Sequence, residues 1–189
     1  MREMRIHRPY VGSWQHGYLL SVRRQNGAHL MLPHASFSAR AKTAIQNELA
    51  RFPDDETGGL LLGYADAEQI AVLEATDGGY ENTIHEPDCF AYDPAYEKHL
   101  CGILSELFDP PLQLVGLWHK HNQSGRPHFS RADEDMHRQL LESAAYPCIS
   151  LLFEKEDRDR YDAHVFLLRA ENEHADITND TDWERKSDG

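Results

Sequence analysis

Residues 116–135 read GLWHKHNQSGRPHFSRADED and place His119, His121, His128, Ser130, Asp133 and Asp135 directly behind an apolar run. On an extended strand, side chains two apart point to the same side, so His119 and His121 can offer both imidazoles to a single point. That is half a metal site: zinc takes about four ligands in a tetrahedron, and a catalytic ion keeps one position open. Asp133 is the best-placed third ligand, because the first turn of a helix after a short loop can fold back over the strand end. Asp135 and His128 compete for that role. Taken alone, each half has a plainer reading. Ser130-x-x-Asp133 is a helix cap, in which the serine hydroxyl accepts an amide hydrogen and the acid suits the helix N-terminus. A His-x-His pair in a chain with 12 histidines is ordinary polar surface.

A second segment changes that balance. In DDETGGLLLGY, residues 54–64, Glu56 sits just ahead of a Gly-Gly turn that enters a buried strand; alone it would be a solvated loop carboxylate. Together the two segments resemble the JAMM zinc peptidases, also called MPN+ or JAB, and especially their compact bacterial members. The family pattern is a glutamate before a glycine-containing strand, then His-x-His-Pro, a spacer, and Ser-x-x-Asp. Here Glu56 precedes TGGLLLG, His119-Lys120-His121 follows Gly-x-Trp, eight residues separate His121 from Ser130, and Ser130-Arg131-Ala132-Asp133 completes the pattern. Asn122 stands where the family has proline, a position that shapes the loop and ligates nothing. The likeness runs from about Ser36 to Arg169.

The resemblance implies an α/β fold, a curved mixed β-sheet flanked by helices in the JAB/MPN architecture that cytidine deaminases share. It implies one Zn2+ per chain held by His119, His121 and Asp133 with water in the fourth position, Glu56 as general base, and Ser130 as a donor to the tetrahedral oxyanion. It implies a ubiquitin-like protein or its conjugates as the partner, arriving in trans. The chain would remove that protein from targets or trim its C-terminus, within a bacterial conjugation pathway of the kind found in antiviral operons. Processing of a small sulfur carrier is the alternative within the enzyme class, and a non-catalytic MPN-type scaffold the alternative outside it. The loop from Thr76 to Phe90 is a candidate wall for a groove that takes the modifier's tail. A Ser/His hydrolase finds no support, since neither Ser124 nor Ser130 lies in a Gly-x-Ser-x-Gly elbow. Cys148, after Pro147 at the head of an apolar strand, reads as a packed thiol.

Such a site needs a strand end and a helix start side by side, and the rest of the sequence supplies elements to hold them. Two short strands around Asn26-Gly27 read as a hairpin, the dipeptide providing positive backbone dihedrals. The alanines, Ile45 and Leu49 predict a helix over Ser36–Arg51, begun by a serine and stopped by Pro53. GGLLLGY and QIAVLEA read as adjacent buried strands, and TDGGYENTIHEPD as a long surface loop. Asp93-Pro94 starts a second helix, with Tyr96, Leu100, Ile103, Leu104 and Leu107 on one face and Asp109-Pro110-Pro111 at its end. LQLVGLWHKH is a buried strand. Ser130 opens a third helix with Met136, Leu140, Leu141 and Ala144 as its apolar stripe, and CISLLFE and AHVFLLRA close the sheet around a charged turn, KEDRDRYD.

At 189 residues with 40% hydrophobic content, the chain supports one core. The expected division is an N-terminal strand hairpin over 1–35 packed on the core, the metallopeptidase domain over 36–170, and an acidic tail over 171–189. That tail carries seven acids against two bases and is expected to be frayed. A net charge of −13 argues against nucleic acid, whose binders concentrate Lys and Arg. No apolar run reaches membrane-spanning length and the N-terminus lacks a signal-peptide core, so a soluble cytoplasmic protein is expected. Cys89, Cys101 and Cys148 form no Cys-x-x-Cys pair and read as reduced, mostly buried thiols.

Overall fold

A computed structural model describes residues 32–122, 127–144, 146–157, 160–169 and 173–183. The hairpin expected at Asn26-Gly27 lies outside these residues. The centre is a seven-stranded mixed sheet in the order β1-β3-β2-β6-β7-β8-β9, and a two-stranded sheet, β4-β5, stands apart from it. The main-sheet strands are His34–Phe37, Thr57–Ala65, Gln69–Ala75, Gln113–His121, Cys148–Asp157, Arg160–Leu168 and His174–Asp176 for β1, β2, β3, β6, β7, β8 and β9. The small sheet is β4 (Ile84–Glu86) and β5 (Cys89–Ala91), and the helices are α1 (Ala39–Arg51), α2 (Pro94–Glu106) and α3 (Arg131–Ser143). The α/β fold with a mixed sheet and three helices is the expected one. No described helix is long and apolar enough to cross a membrane.

The sheet has two different faces because side chains alternate along each strand. One face, covered by α1, holds Phe37, Ile45, Leu61, Val72, Trp118, Ile149, Leu151, Phe153 and Val165 in a single apolar cluster. The face under α3 has a smaller apolar patch of Leu117, Leu140, Cys148 and Leu168. A register shift between Leu61 and Leu62, where β2 pairs with β6, re-aims the end of β6. Beyond it, Trp118 and Lys120 face α1 while Leu117, His119 and His121 face α3.

Several local expectations are corrected. The first helix starts later than Ser36, which lies in β1; Ser38 is its cap, accepting from Ala41 N at 3.0 Å while its hydroxyl donates to Leu73 O. The stretch around 76–88 is not all loop, because Ile84–Glu86 pairs with Cys89–Ala91. Asp93 does cap α2, but Ile103 on that helix and Leu107 at its C-cap are exposed, and its buried residue is Glu97. Glu97 accepts from Thr76 Oγ1 at 2.7 Å, Thr76 Oγ1 accepts from Leu60 N, and Trp118 Nε1 donates to Thr76 O at 2.9 Å. A buried polar chain therefore ties α2 to β2 and β6. Strands β7 and β8 extend into the charged turn, reaching Asp157 and Arg160.

The tail also departs from expectation. Residues 174–176 add β9 to β8, Ile177 and Thr178 are buried, and Trp183 packs edge-on against Phe37 and Phe153. Two large apolar side chains, spaced among acids, are enough to hold this segment down. Among the thiols, Cys148 is buried and Cys101 half-buried, both pushed up to about 12 by burial, whereas Cys89 is exposed.

Candidate metal centre

The strand end and the helix start come together as the spacing demands. His119 Nε2 and His121 Nε2 lie 3.0 Å apart. Asp133 Oδ1 is 3.4 Å from His119 Nε2, and Asp133 Oδ2 is 3.6 Å from His121 Nε2. Ligand atoms at about 2.0–2.1 Å from a tetrahedral zinc are about 3.3 Å apart, so the two imidazole nitrogens and the carboxylate, one oxygen toward each ring, are spaced as ligands of one ion are. All three residues are buried. His119 Nδ1 has no hydrogen-bond partner among the described residues. The donor set of two imidazoles and a carboxylate suits a borderline divalent cation.

Backbone features place these groups. Ser130 Oγ accepts from Asp133 N at 3.3 Å while Asp133 Oδ2 accepts from Ser130 N at 2.6 Å, a reciprocal capping box that points the carboxylate at the strand end. Gly58 lets β2 lie against His119: a Cβ there would sit 2.5 Å from Trp118 O and 2.9 Å from His119 Cβ. Glu56 comes just before this close approach. Its backbone is pinned by the small sheet, with Glu56 N donating to Glu86 O at 2.8 Å and His85 Nδ1 lying 3.0 Å from Glu56 O. His85 in turn stacks on Phe52 at 3.7 Å between ring centroids. Asn122 donates to Asp54 O at 2.6 Å and to Pro87 O at 3.2 Å. In place of the rigidity of proline, it fastens the end of β6 to the Glu56 loop.

Electrostatics sort the groups by role. Burial pushes the Glu56 carboxyl up to about 7, with Asp133 adding and His121 opposing. Burial lowers His119 to about 3 and His137 to about 4, so both are neutral imidazoles near neutral pH. For His121 burial is outweighed by the hydrogen bond and charge of Asp133, helped by Glu56 and Glu154, and its pKa rises. Asp133 is held well below the usual carboxylate range, because hydrogen bonds and charge from His121, His119 and Ser130 outweigh burial. On the opposite face Lys120 is fully buried, its Nζ donating to Phe52 O at the end of α1 and to Tyr161 Oη, and burial lowers it to about 8.

The competitors separate cleanly. Asp135 pairs with Arg138 on the exposed side of α3 and stands outside the cluster. His128 is exposed, but it groups with His121 and Glu154 within 4.8 Å. Sequence reasoning missed Glu154, whose Oε1 lies 3.3 Å from His121 Nδ1. A carboxylate on the far nitrogen of a ligating histidine fixes its tautomer and orientation. Nothing local marks Glu154, which reaches the site only because β7 runs parallel to β6 with His121 opposite it.

Residues 38–177 match the family described as prokaryotic homologs of the JAB domain. The chain belongs to this family. The JAB-domain match begins at Ser38, the cap of α1, and runs beyond Arg169 to take in β9. Among solved structures, the solution structure of protein DSY2949 from Desulfitobacterium hafniense is similar in fold, with a TM-score of 0.54 at 15% identity over 75% of this chain and 88% of that one. No curated protein matches closely enough to carry a function across.

Proposed function

We propose that this JAB-domain protein is a zinc-dependent isopeptidase or peptidase that removes or C-terminally processes a ubiquitin-like protein. The observation that carries the reading is the convergence of His119 Nε2, His121 Nε2 and the Asp133 carboxylate, the nitrogens 3.0 Å apart and Oδ1 and Oδ2 at 3.4 and 3.6 Å from them, beside a carboxyl that burial lifts to about 7. His119, His121 and Asp133 would hold the zinc, which would supply Lewis acidity toward a carbonyl and lower the pKa of water toward about 7. Glu56 takes the proton of the attacking water and returns it to the leaving amine, a role suited to a carboxyl whose pKa matches the working pH. Ser130 donates from its hydroxyl to the carbonyl oxygen as charge develops there, a role compatible with its cap.

The substrate reading rests on the family and on the shape of the small sheet. An extended C-terminal tail can add to an exposed strand edge through backbone hydrogen bonds, its side chains setting specificity. The β4–β5 hairpin is attached to the backbone of Glu56, so a tail docked along it would present its last residues to the site. Replacing Glu56 with Gln tests the assignment: zinc content by elemental analysis stays at the wild-type level while cleavage of a C-terminally extended ubiquitin-like protein falls by about 10²–10⁴. An absence of zinc at His119, His121 and Asp133 in wild type would instead support a scaffold. Zinc there without cleavage would keep the chemistry and reject the substrate.

A further inference from the structure

The polar cluster under α3 continues past the site just described. Glu134 and His137, three residues apart on α3, and His174 on β9 each offer a ligand atom, and these lie within 4.8 Å of one another. His174 Nε2 and Glu134 Oε1 are 3.3 Å apart, the edge length of a tetrahedral zinc site. His137 Nδ1, His174 Nδ1 and Glu134 Oε2 are all buried with no hydrogen-bond partner among the described residues, and His137 is only 1% exposed. A buried polar atom left without a partner is costly, and here three occur in one small group.

The surroundings hold the rings as ligands are held. Ser150 Oγ lies 3.2 Å from His137 Nε2, fixing that ring through one nitrogen and leaving the other unused. The His137 and His174 rings meet at 74° with centroids 5.1 Å apart. Phe129 packs edge-on against both, at 4.6 and 4.8 Å, and lies 6.4 Å from the His119 ring. One aromatic ring thus stands between this cluster and the first site. The His174–Glu134 ion pair leaves His137 Nδ1, His174 Nδ1 and Glu134 Oε2 unmatched among the described residues and leaves His137 outside it; a cation engages all three residues.

We propose that Glu134, His137 and His174 form a second metal site, for a borderline divalent cation such as Zn2+, that fastens β9 to α3 and takes no part in hydrolysis. Two imidazoles and a carboxylate select this class over Mg2+ or Ca2+, which prefer all-oxygen sites. A Glu-x-x-His spacing puts both helical ligands on one face. The proposal stands whether or not the first site hydrolyses anything.

The test uses the full chain, stripped with chelator, reloaded with Zn2+ or Co2+ and desalted. Wild type is expected to hold two ions, and His174→Gln one. A double variant, His119→Ala with His121→Ala, removes the first site and is expected to keep one ion and to melt higher with Zn2+ than without. Adding His174→Gln to that double variant should abolish both the ion and the shift. If His174→Gln misfolds, Glu134→Gln carries the same expectation from the helix surface. A double variant that binds no ion, or a wild-type stoichiometry unchanged by substitution at 134 or 174, would overturn the second site. Wild type holding a single ion that is lost in His174→Gln and kept in the double variant would support the second site and reject the first.

Discussion

The end of β6 sends alternate side chains to two faces that handle polar atoms in opposite ways. Toward α1, Trp118 donates to Thr76 O and Lys120 Nζ to Phe52 O and Tyr161 Oη, so the buried nitrogens are matched by protein acceptors. Toward α3, His119 Nδ1, Glu154 Oε2 and His137 Nδ1 are buried without partners among the described residues. A fully matched face favours a unique fold, whereas an unmatched one holds free energy that a ligand can recover. Four consecutive residues, 118–121, therefore divide between a face matched within the protein and a face whose nitrogens are available to a ligand.

Breaking the ligand face should affect activity most. His119→Ala is expected to remove the ion of the first site and lower peptide-bond cleavage by more than about 10³-fold, since a metal supplies several kcal/mol to such transition states. Metal analysis alongside an assay of the same sample checks this. Breaking the matched face should appear in stability: Trp118→Ala is expected to cost about 3–5 kcal/mol, read from urea unfolding in the presence of chelator. A His119→Ala loss of stability as large as that of Trp118→Ala, measured under the same conditions, would erase the distinction.

Glu97 sharpens it on the matched side. Burial lifts its carboxyl to about 7 in the folded chain, while the unfolded chain releases that proton near its ordinary value of 4.5. The folded state then holds more protons in this window, so stability falls as pH rises from about 4.5 to about 7. Glu97→Gln keeps an acceptor for Thr76 and removes this dependence. Between pH 4 and pH 8 the variant should gain up to about 3 kcal/mol on wild type, measured by denaturant titration at both pH values. The smallest effect expected is for Glu154→Gln, which should weaken metal binding by about 10–100-fold, measured against a competing chelator.

Much of this arrangement was legible in the sequence wherever the signal is local. The His-x-His pair needs only strand alternation to converge, and Ser130-x-x-Asp133 carries its own capping geometry. The strands of residues 57–75 and the Asp93-Pro94 helix start are written in apolar runs and turn chemistry of the same kind. What stayed hidden depends on partners far away in sequence. β1 is four residues long and exists through its parallel pairing with β3. The tail is polar except for Ala175, Ile177 and Trp183, and the order of residues 173–183 comes from β8 and from Phe37. The apolar residues of α2 suggested a buried stripe, yet that helix is anchored through an acid, because Thr76 offers Glu97 a hydroxyl. Glu154, His137 and His174 lie in segments that no spacing rule connects to His121.

Gly58 leaves a trace in any experiment that replaces every residue in turn. It has no side chain to ligate an ion or carry a proton, yet an added methyl group would press on Trp118 O and His119 Cβ. A saturation scan of cleavage should therefore score position 58 as harshly as the histidine beside it. Zinc retention and melting temperature would tell the two apart, since the glycine acts through the spacing of two strands and the histidine through its nitrogen.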